Sequence, residues 1–392
     1  MIEVYSPSIK RKEMDAVLTV LVEEKIGPGE QGQRLIQYAK EYSKFDFCIA
    51  LRSPVFALDK ALSLLNLDAG SGVAISALSP AYYLKVIADL GLKAVIFDTL
   101  AASPFPNADN IQAAIDRVKD EAPIRAIVLH HCLGYMPKMD DVNSFGIPLI
   151  EDCSTAVGSG FGIAEGGSAG SRNQGSEGAG EGGGAVSHGD VSDGGVDGIK
   201  NNAERVETPL DIAGSFGVFT ILGLEERDML TSGGGALLYA AERRNGNVLR
   251  NAEMFLPEYE LPDMNAAMAI VQFREAQKNA VNRRLYANAF TQSALQQRRH
   301  KLFVQSDNFY YNNYAFALVL ETGMKEVTAW AKRKEIVVEN AFAGTIIGRE
   351  LIPPEFCPNA YSLSLRTALF PIYPRLGGAN AKKIEKLIQT LP

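Results

Sequence analysis

The sequence predicts an α/β fold: a mostly parallel sheet with helices on both faces, followed by a small C-terminal α+β domain. Three observations predict it. Short apolar runs alternate with amphipathic stretches as far as residue 152. Those runs are apolar on both faces, as strands covered from two sides must be. The 392 residues also exceed what one small core organises.

The elements follow in order. Within 10–24, Met14, Val17, Leu18 and Leu21 keep the i, i+3, i+4, i+7 spacing of a helix that buries that face. Leu35, Tyr38, Ala39 and Tyr42 repeat the spacing. The run 47–51 reads as a strand, and the helix after it turns Leu58, Ala61, Leu62 and Leu65 one way. Strands are expected at 72–76, 94–98, 125–130 and 147–152, with helices at 81–90, 109–121 and 139–145 between them. Strand-like sequence resumes at 215–222 and 235–239. A long helix opens at Met264 and runs to 297, and 380–390 closes the chain as a helix. Between them, 308–321, a helix around Trp330 and a strand at 336–339 build the small domain. The large domain is read as 1–285 and the small one as 286–392.

One segment departs from this alternation. Residues 164–200 hold 13 of the 36 glycines and almost no large apolar side chain. Such a stretch cannot bury enough area to offset the entropy of ordering it, so a flexible insertion is expected. Its Ser192-Asp193-Gly194-Gly195-Val196-Asp197-Gly198 run hints at a calcium-binding repeat, but no nonapeptide period is kept, and no metal site is assigned.

Composition narrows the function classes. The net charge is −7, which repels phosphate backbones and argues against nucleic-acid binding. The densest basic runs, Arg283-Arg284 and Arg298-Arg299-His300-Lys301, read as solvated helix faces. No apolar run approaches a membrane span and no apolar signal core opens the chain, so a cytoplasmic protein without membrane contact is expected. Cys48, Cys132, Cys153 and Cys357 lack metal spacing and read as core thiols in a reducing compartment.

Five stretches then share an order with a known family. They are Gly72-Val73 through Gly91-Leu92-Lys93-Ala94-Val95, His131-Cys132-Leu133-Gly134 through Met139-Asp140, and Ile150-Glu151-Asp152-Cys153-Ser154-Thr155-Ala156-Val157-Gly158. Phe219-Thr220 with Thr231-Ser232-Gly233-Gly234-Gly235, and Phe370-Pro371-Ile372-Tyr373-Pro374, complete the set. Together they resemble the nucleotide-sugar aminotransferases of the DegT/StrS type. The resemblance implies the fold-type-I scaffold, a pyridoxal phosphate cofactor and a homodimer with sites between subunits.

Transamination on that scaffold needs a lysine that forms an imine with the cofactor and then moves the substrate proton. Counting forward from Thr220, the resemblance puts that position on Glu225; counting back from Gly235, it falls on Arg227. Neither forms an imine, and no lysine stands between Lys200 and Lys278. No histidine stands between His188 and His300 either, so the histidine-bearing dehydratase variant of the family does not fit.

The resemblance also implies a phosphate-binding turn at a helix N-terminus, here Ser53-Pro54-Val55, where Pro54 has no N–H to donate. A partner-subunit asparagine is implied where Glu258-Tyr259-Glu260 stands, and a carboxylate at Glu258 repels phosphate. The ring-stacking aromatic falls on Pro80, with Tyr82 and Tyr83 close enough to compensate. Three positions remain as residual cofactor-cleft candidates. Asp152 sits where an aspartate protonates the pyridine nitrogen, Thr155 where a residue contacts the ring, and Thr220 where a hydroxyl reaches the phosphate. Asp152 also reads as a relic bonded to local groups, and with the other contacts gone that reading is preferred. His131 reads as a buried, satisfied histidine.

The expectation is therefore a catalytically degenerate member of the family, without catalytic residues or cofactor, with a binding, regulatory or assembly role. A nucleotide sugar or an active homologue is its expected partner. The alternative is an active pyridoxal phosphate enzyme, or a lysine-free dehydratase, with an atypical site.

Overall fold

The computed structural model describes residues 1–118, 121–163, 209–251, 256–306 and 308–392. The insertion expected at 164–200 lies outside the described residues. Two helices, α1 (Arg11–Val22) and α2 (Glu30–Ser43), precede the first strand, β1 (Phe47–Leu51). Strand–helix units follow: α3 (Pro54–Leu64), β2 (Gly72–Ser76), α4 (Tyr82–Asp89), β3 (Lys93–Phe97), α5 (Ala108–Val118), β4 (Ile124–His130), α6 (Met139–Asn143) and β5 (Leu149–Asp152). After β6 (Gly160–Ile163) and β7 (Pro209–Ile212) come β8 (Phe219–Gly223), β9 (Ala236–Ala240) and α7 (Arg243–Asn251). The long helix α8 is Asp263–Gln297. Then come β10 (Phe309–Tyr310), β11 (Phe316–Val319), α9 (Met324–Arg333), β12 (Glu339–Asn340), α10 (Pro358–Arg366), β13 (Thr367–Phe370) and α11 (Gly378–Gln389).

The main sheet has seven strands in the order β1-β9-β8-β5-β4-β2-β3. Pairing is parallel from β3 through β8, and only β9 runs against the rest. Apolar residues on both faces of β2, β5, β8 and β9 explain why the sheet is covered from both sides: all positions in these four strands are buried. The fold-type-I aminotransferase-like architecture expected from the sequence is the one observed.

Helix α8 links two cores. Ala266, Ala269, Ile270 and Phe273 pack with Leu35 of α2 and with Leu222 and Leu237 of the sheet. Further along, Ala287, Phe290 and Ala294 pack with Phe316 and Phe370 of the three-stranded sheet β11-β13-β12 and with Ile384 of α11. The N-terminus joins this second core. Ile2 donates its N–H to Glu335 and accepts one from Val337.

Three expectations fail here for identifiable reasons. The face of α1 carrying Met14, Leu18 and Leu21 is exposed, and Glu13 and Val20 are buried instead. Glu13 caps its own helix through the Lys10 N–H and accepts from Gln272 Nε2 of α8, so paired hydrogen bonds set the docked face. Arg283 is no solvated cation: it is buried and donates to the carbonyls of Tyr314 and Ile372. His300 is buried as well, its Nδ1 accepting the Glu321 N–H. The strand expected at 336–339 shifts to β12, because Ile336 instead bridges to Ile2. All four cysteines are buried and free.

Candidate functional site

The site forms where the parallel strands end, the edge at which such sheets receive ligands. His130 closes β4, Asp152 closes β5 and Gly223 closes β8, with His130 opposite Asp152 and Asp152 opposite Ile221 in register. Asp152 is buried, and both of its oxygens are taken. Tyr83 of α4 donates its phenol to Oδ2 at 2.5 Å. Ser154 donates its N–H (3.0 Å) and hydroxyl (2.5 Å) to Oδ1. The His130 ring nitrogen Nδ1 lies 3.4 Å from Oδ2.

The electrostatics follow from these contacts. Burial by itself would raise the Asp152 carboxyl, but the His130 cation and the three donors outweigh it and lower the carboxyl to about 2. Burial opposes the His130 charge, and Asp152 overcomes that too, raising the imidazole to about 10. The two form an ion pair at the mouth of the sheet.

Across from the pair stands a carboxyl that the sequence reading missed. Strand alternation puts Phe219, Ile221 and Gly223 on the Asp152 face and Thr220 on the opposite one. Thr220 therefore does not join Asp152; its hydroxyl donates to the Gly214 carbonyl at 2.6 Å. Anchoring the strand on Gly223 instead of Thr220 moves the expected lysine position from Glu225 to Asp228. Asp228 folds back over the strand end, where a Cβ at Gly223 would collide with its carboxylate and with the Ser154 hydroxyl. Glu225 donates its N–H to Asp228 Oδ2 at 2.8 Å. Burial pushes the Asp228 carboxyl well up despite that bond, and the neighbouring Asp152 and Glu225 charges push it further. Glu225 and Arg227 themselves are exposed, and Arg227 pairs with Glu339 of β12 at 2.7 Å.

The remaining expected positions are scattered. Pro54 opens α3, capped by Ser53, whose Oγ accepts the Val55 N–H at 3.0 Å. Of the two N–H groups expected after Ser53, one is absent and the other is engaged. Pro80 bridges to Thr345 of the C-terminal region, and Tyr82 and Tyr83 meet edge-to-face at 5.0 Å. Both tyrosines are near enough to the Asp152 charge for it to hold their phenols up, although burial is the larger cause. Glu258 is exposed. Its segment lies against the start of α3 within the same chain, since Arg52 donates its N–H to the Tyr259 carbonyl. Thr155 donates to the His131 carbonyl at 2.8 Å and accepts from Gly134, so its hydroxyl is used locally.

On the other face, His131 Nε2 meets Glu151 at 2.8 Å. Glu151, His131 and Cys153 bring donor atoms within 4.8 Å of one another. Glu151 already accepts three backbone N–H groups, from Gly214, Phe216 and Gly217. Its oxygens are spent on holding the loop before β8, which is a structural task.

Residues 7–176 match the DegT/DnrJ/EryC1/StrS aminotransferase family. Solved structures share the fold over nearly the whole chain. The aminotransferase TlmJ from Streptoalloteichus hindustanus superposes with a TM-score of 0.78 at 15% identity, covering 99% of this chain and 98% of that one. A DegT DnrJ EryC1 StrS aminotransferase from Brucella abortus gives 0.77 at 15% identity, covering 96% and 94%. The GDP-4-keto-6-deoxymannose-3-dehydratase ColD with bound GDP-perosamine gives 0.75 at 14% identity, covering 99% and 100%. Among the described residues no helix is long and apolar enough to cross a membrane.

Proposed function

We propose that this chain is a sugar-aminotransferase-fold protein that acts by binding a ligand and does not transaminate. Pyridoxal phosphate is the cofactor its family implies, and the residues present do not fit it. The observation that carries this reading is Asp228, a carboxyl folded over the end of β8, where the resemblance counted from Gly223 would put the amine. A carboxyl forms no imine, whatever its protonation. Two further features support the reading. Tyr83, His130 and Ser154 already surround both Asp152 oxygens, one of which a pyridinium nitrogen would need. The turn before α3 has no free N–H at Pro54 or Val55.

A nucleotide sugar is the ligand class we assign to the cleft, by likeness to the dehydratase seen with GDP-perosamine. A homodimer is the assembly we assign, in the cytoplasm, with an active homologue as the alternative partner. Light scattering at micromolar concentration reads the assembly directly, and a monomer would remove that part.

The test uses the purified full-length protein. Absorbance after addition of pyridoxal phosphate should show no imine band, and borohydride reduction followed by peptide mass measurement should find no adduct on a cleft lysine. A stoichiometric adduct would restore the working aminotransferase. A thermal-shift series should show stabilisation by a nucleotide sugar that exceeds any shift from pyridoxal phosphate. Equal silence from every nucleotide sugar would leave assembly as the only role supported.

A further inference from the structure

Helix α1 presents an apolar stripe to solvent. Met14 and Leu18 are each 56% exposed, Leu21 47% and Val22 74%. These positions, i, i+4, i+7 and i+8, form one face of a helix, and Ile26 just past its end is 55% exposed as well. The helix cannot roll to bury them, because its inner side is fixed to α8. Gln272 donates to Glu13 at 2.9 Å, Lys12 donates to Glu275 at 2.7 Å, and Val20 is buried. Single apolar residues on a surface are ordinary, but a continuous stripe marks a contact face.

The charges at the two ends of α1 define what covers it. Arg11 opens the helix with its side chain 89% exposed, and the exposed Glu23 and Glu24 close it. Lys25 follows only after Glu24 has turned the chain with a φ of 57°. On the outer face this order opposes the helix dipole, which favours anions at the N-terminus and cations at the C-terminus. Glu13 suits the dipole but faces inwards. Arg11 has only the exposed Asp15, 3.4 Å away, a pair worth little. Neither glutamate has an ion pair among the described residues. A second α1 laid antiparallel across a two-fold axis meets every need at once. Its glutamates lie beside Arg11, its stripe covers this one, and the two dipoles run opposed. A parallel copy would set like charges side by side. A membrane surface is disfavoured, because helices that lie in one carry Lys and Arg beside the apolar face. This one ends in glutamates, on a chain of net charge −7.

We propose that the outer face of α1 is the centre of an interface between two copies of this chain, packed antiparallel about a two-fold axis at Leu18. The proposal rests on the homodimer assigned above and adds the surface on which it forms. Leu18 stands midway between Arg11 and Glu24, so in an isologous contact it meets its own copy. The helix is about 18 Å long, too short to supply the roughly 800 Å² per partner of a standard interface. Surface beside α1 completes the contact, and the apolar stripe forms its dry middle.

The full chain is measured by sedimentation and light scattering across micromolar concentrations. Leu18→Glu should raise the dimer dissociation constant at least about thirtyfold, since it buries two facing carboxylates, while the circular dichroism spectrum stays that of the parent. Should that variant fail to fold, Val22→Glu at the most exposed position of the stripe replaces it. Arg11→Glu alone, and Glu23→Lys with Glu24→Lys, should each weaken dimerisation about five- to tenfold. All three changes in one chain should restore it, because the opposed ends again carry opposite charge. Leu18→Cys should form a disulfide-linked dimer on mild oxidation, since the four native cysteines are buried and only the new thiols meet. Arg11→Cys, whose copies would lie about 20 Å apart, should not. A parent dimer that Leu18→Glu leaves intact would overturn this interface and keep the homodimer, whereas a monomeric parent would remove both. Charge reversal without recovery in the combined chain would overturn the antiparallel packing.

Discussion

The Tyr83 phenol donates to Asp152 Oδ2 at 2.5 Å, so a side chain of helix α4 occupies the acceptor that closes strand β5. The carboxylate is complete without a ligand. Ser154 takes its other oxygen, and His130 balances its charge. The strand ends of the cleft are thus fixed to one another by a network that belongs to the chain itself.

Tyr83→Phe removes one charge-assisted bond and leaves the ring in place. Because Tyr83 is fully buried, the change should cost about 1.5–3 kcal/mol in urea unfolding. The effect should shrink in an Asp152→Asn background, since the two residues form one pair. Equal losses in both backgrounds would mean that the bond contributes little and that only packing around the ring matters.

The ion pair sets a pH dependence with two limbs. The His130 imidazole is raised from its ordinary 6.5 to about 10, so its stabilisation is whole below 6.5 and is lost as the pH climbs through 10. The Asp152 carboxyl is lowered from 3.8 to about 2, so its stabilisation is present above 3.8 and disappears as the pH falls towards 2. Urea midpoints of the parent should decline from neutral pH towards pH 10. The His130→Asn variant should lose that alkaline decline and also show a weaker acid limb, because the His130 charge is the largest influence that lowers Asp152. Parallel profiles in parent and variant would assign the alkaline limb to another group.

Much of the fold was legible because it rests on local periodicity. The short runs at 47–51 and 72–76 are the observed β1 and β2 to the residue, since nothing but a two-sided strand suits them. Asp152 was legible too, as a carboxylate at the end of an apolar run. What escaped reading depends on tertiary partners. The Met14 and Leu18 face looks like a core face, and only Glu13 bonding to Gln272 reveals that α1 docks the other way. Arg283 looks solvated until the carbonyls of Tyr314 and Ile372 are seen around it. Thr220 was placed on the Asp152 side because a motif was matched without its strand face. Period-two alternation from Phe219 carried the signal for Gly223, and hence for Asp228.

Arg283 itself supports a stability prediction. Its guanidinium reaches from α8 to two carbonyls of the C-terminal region, Tyr314 at 2.8 Å and Ile372 at 3.0 Å. Arg283→Met fills similar volume but leaves both acceptors dry, and should cost about 2–4 kcal/mol. Arg283→Lys should recover only part of that loss, because the lysine stem is one atom shorter and its ammonium stops short of the Nη1 that makes both bonds. Full recovery by lysine would show that charge alone, and not its geometry, holds the two regions together.

The last prediction asks what separates this cleft from one that holds pyridoxal phosphate. Asp228→Lys puts an amine at the end of β8 near Asp152, whereas Glu225→Lys and Arg227→Lys place it on an exposed loop. Position alone should not suffice. Asp152 favours the charged ammonium, which does not attack an aldehyde, and Tyr83 still occupies the carboxylate oxygen. The turn at Pro54 still lacks a donor for phosphate. The triple variant Asp228→Lys, Tyr83→Phe, Pro54→Gly frees the carboxylate, returns an N–H and supplies the amine together. It should acquire imine absorbance with pyridoxal phosphate and a reducible adduct at residue 228, while each single variant should not. These groups act as a unit, so strong non-additivity is the expected signature. A full-occupancy imine from Asp228→Lys alone would mean that the cleft already grips the cofactor, and the binding-only reading would lose its main support.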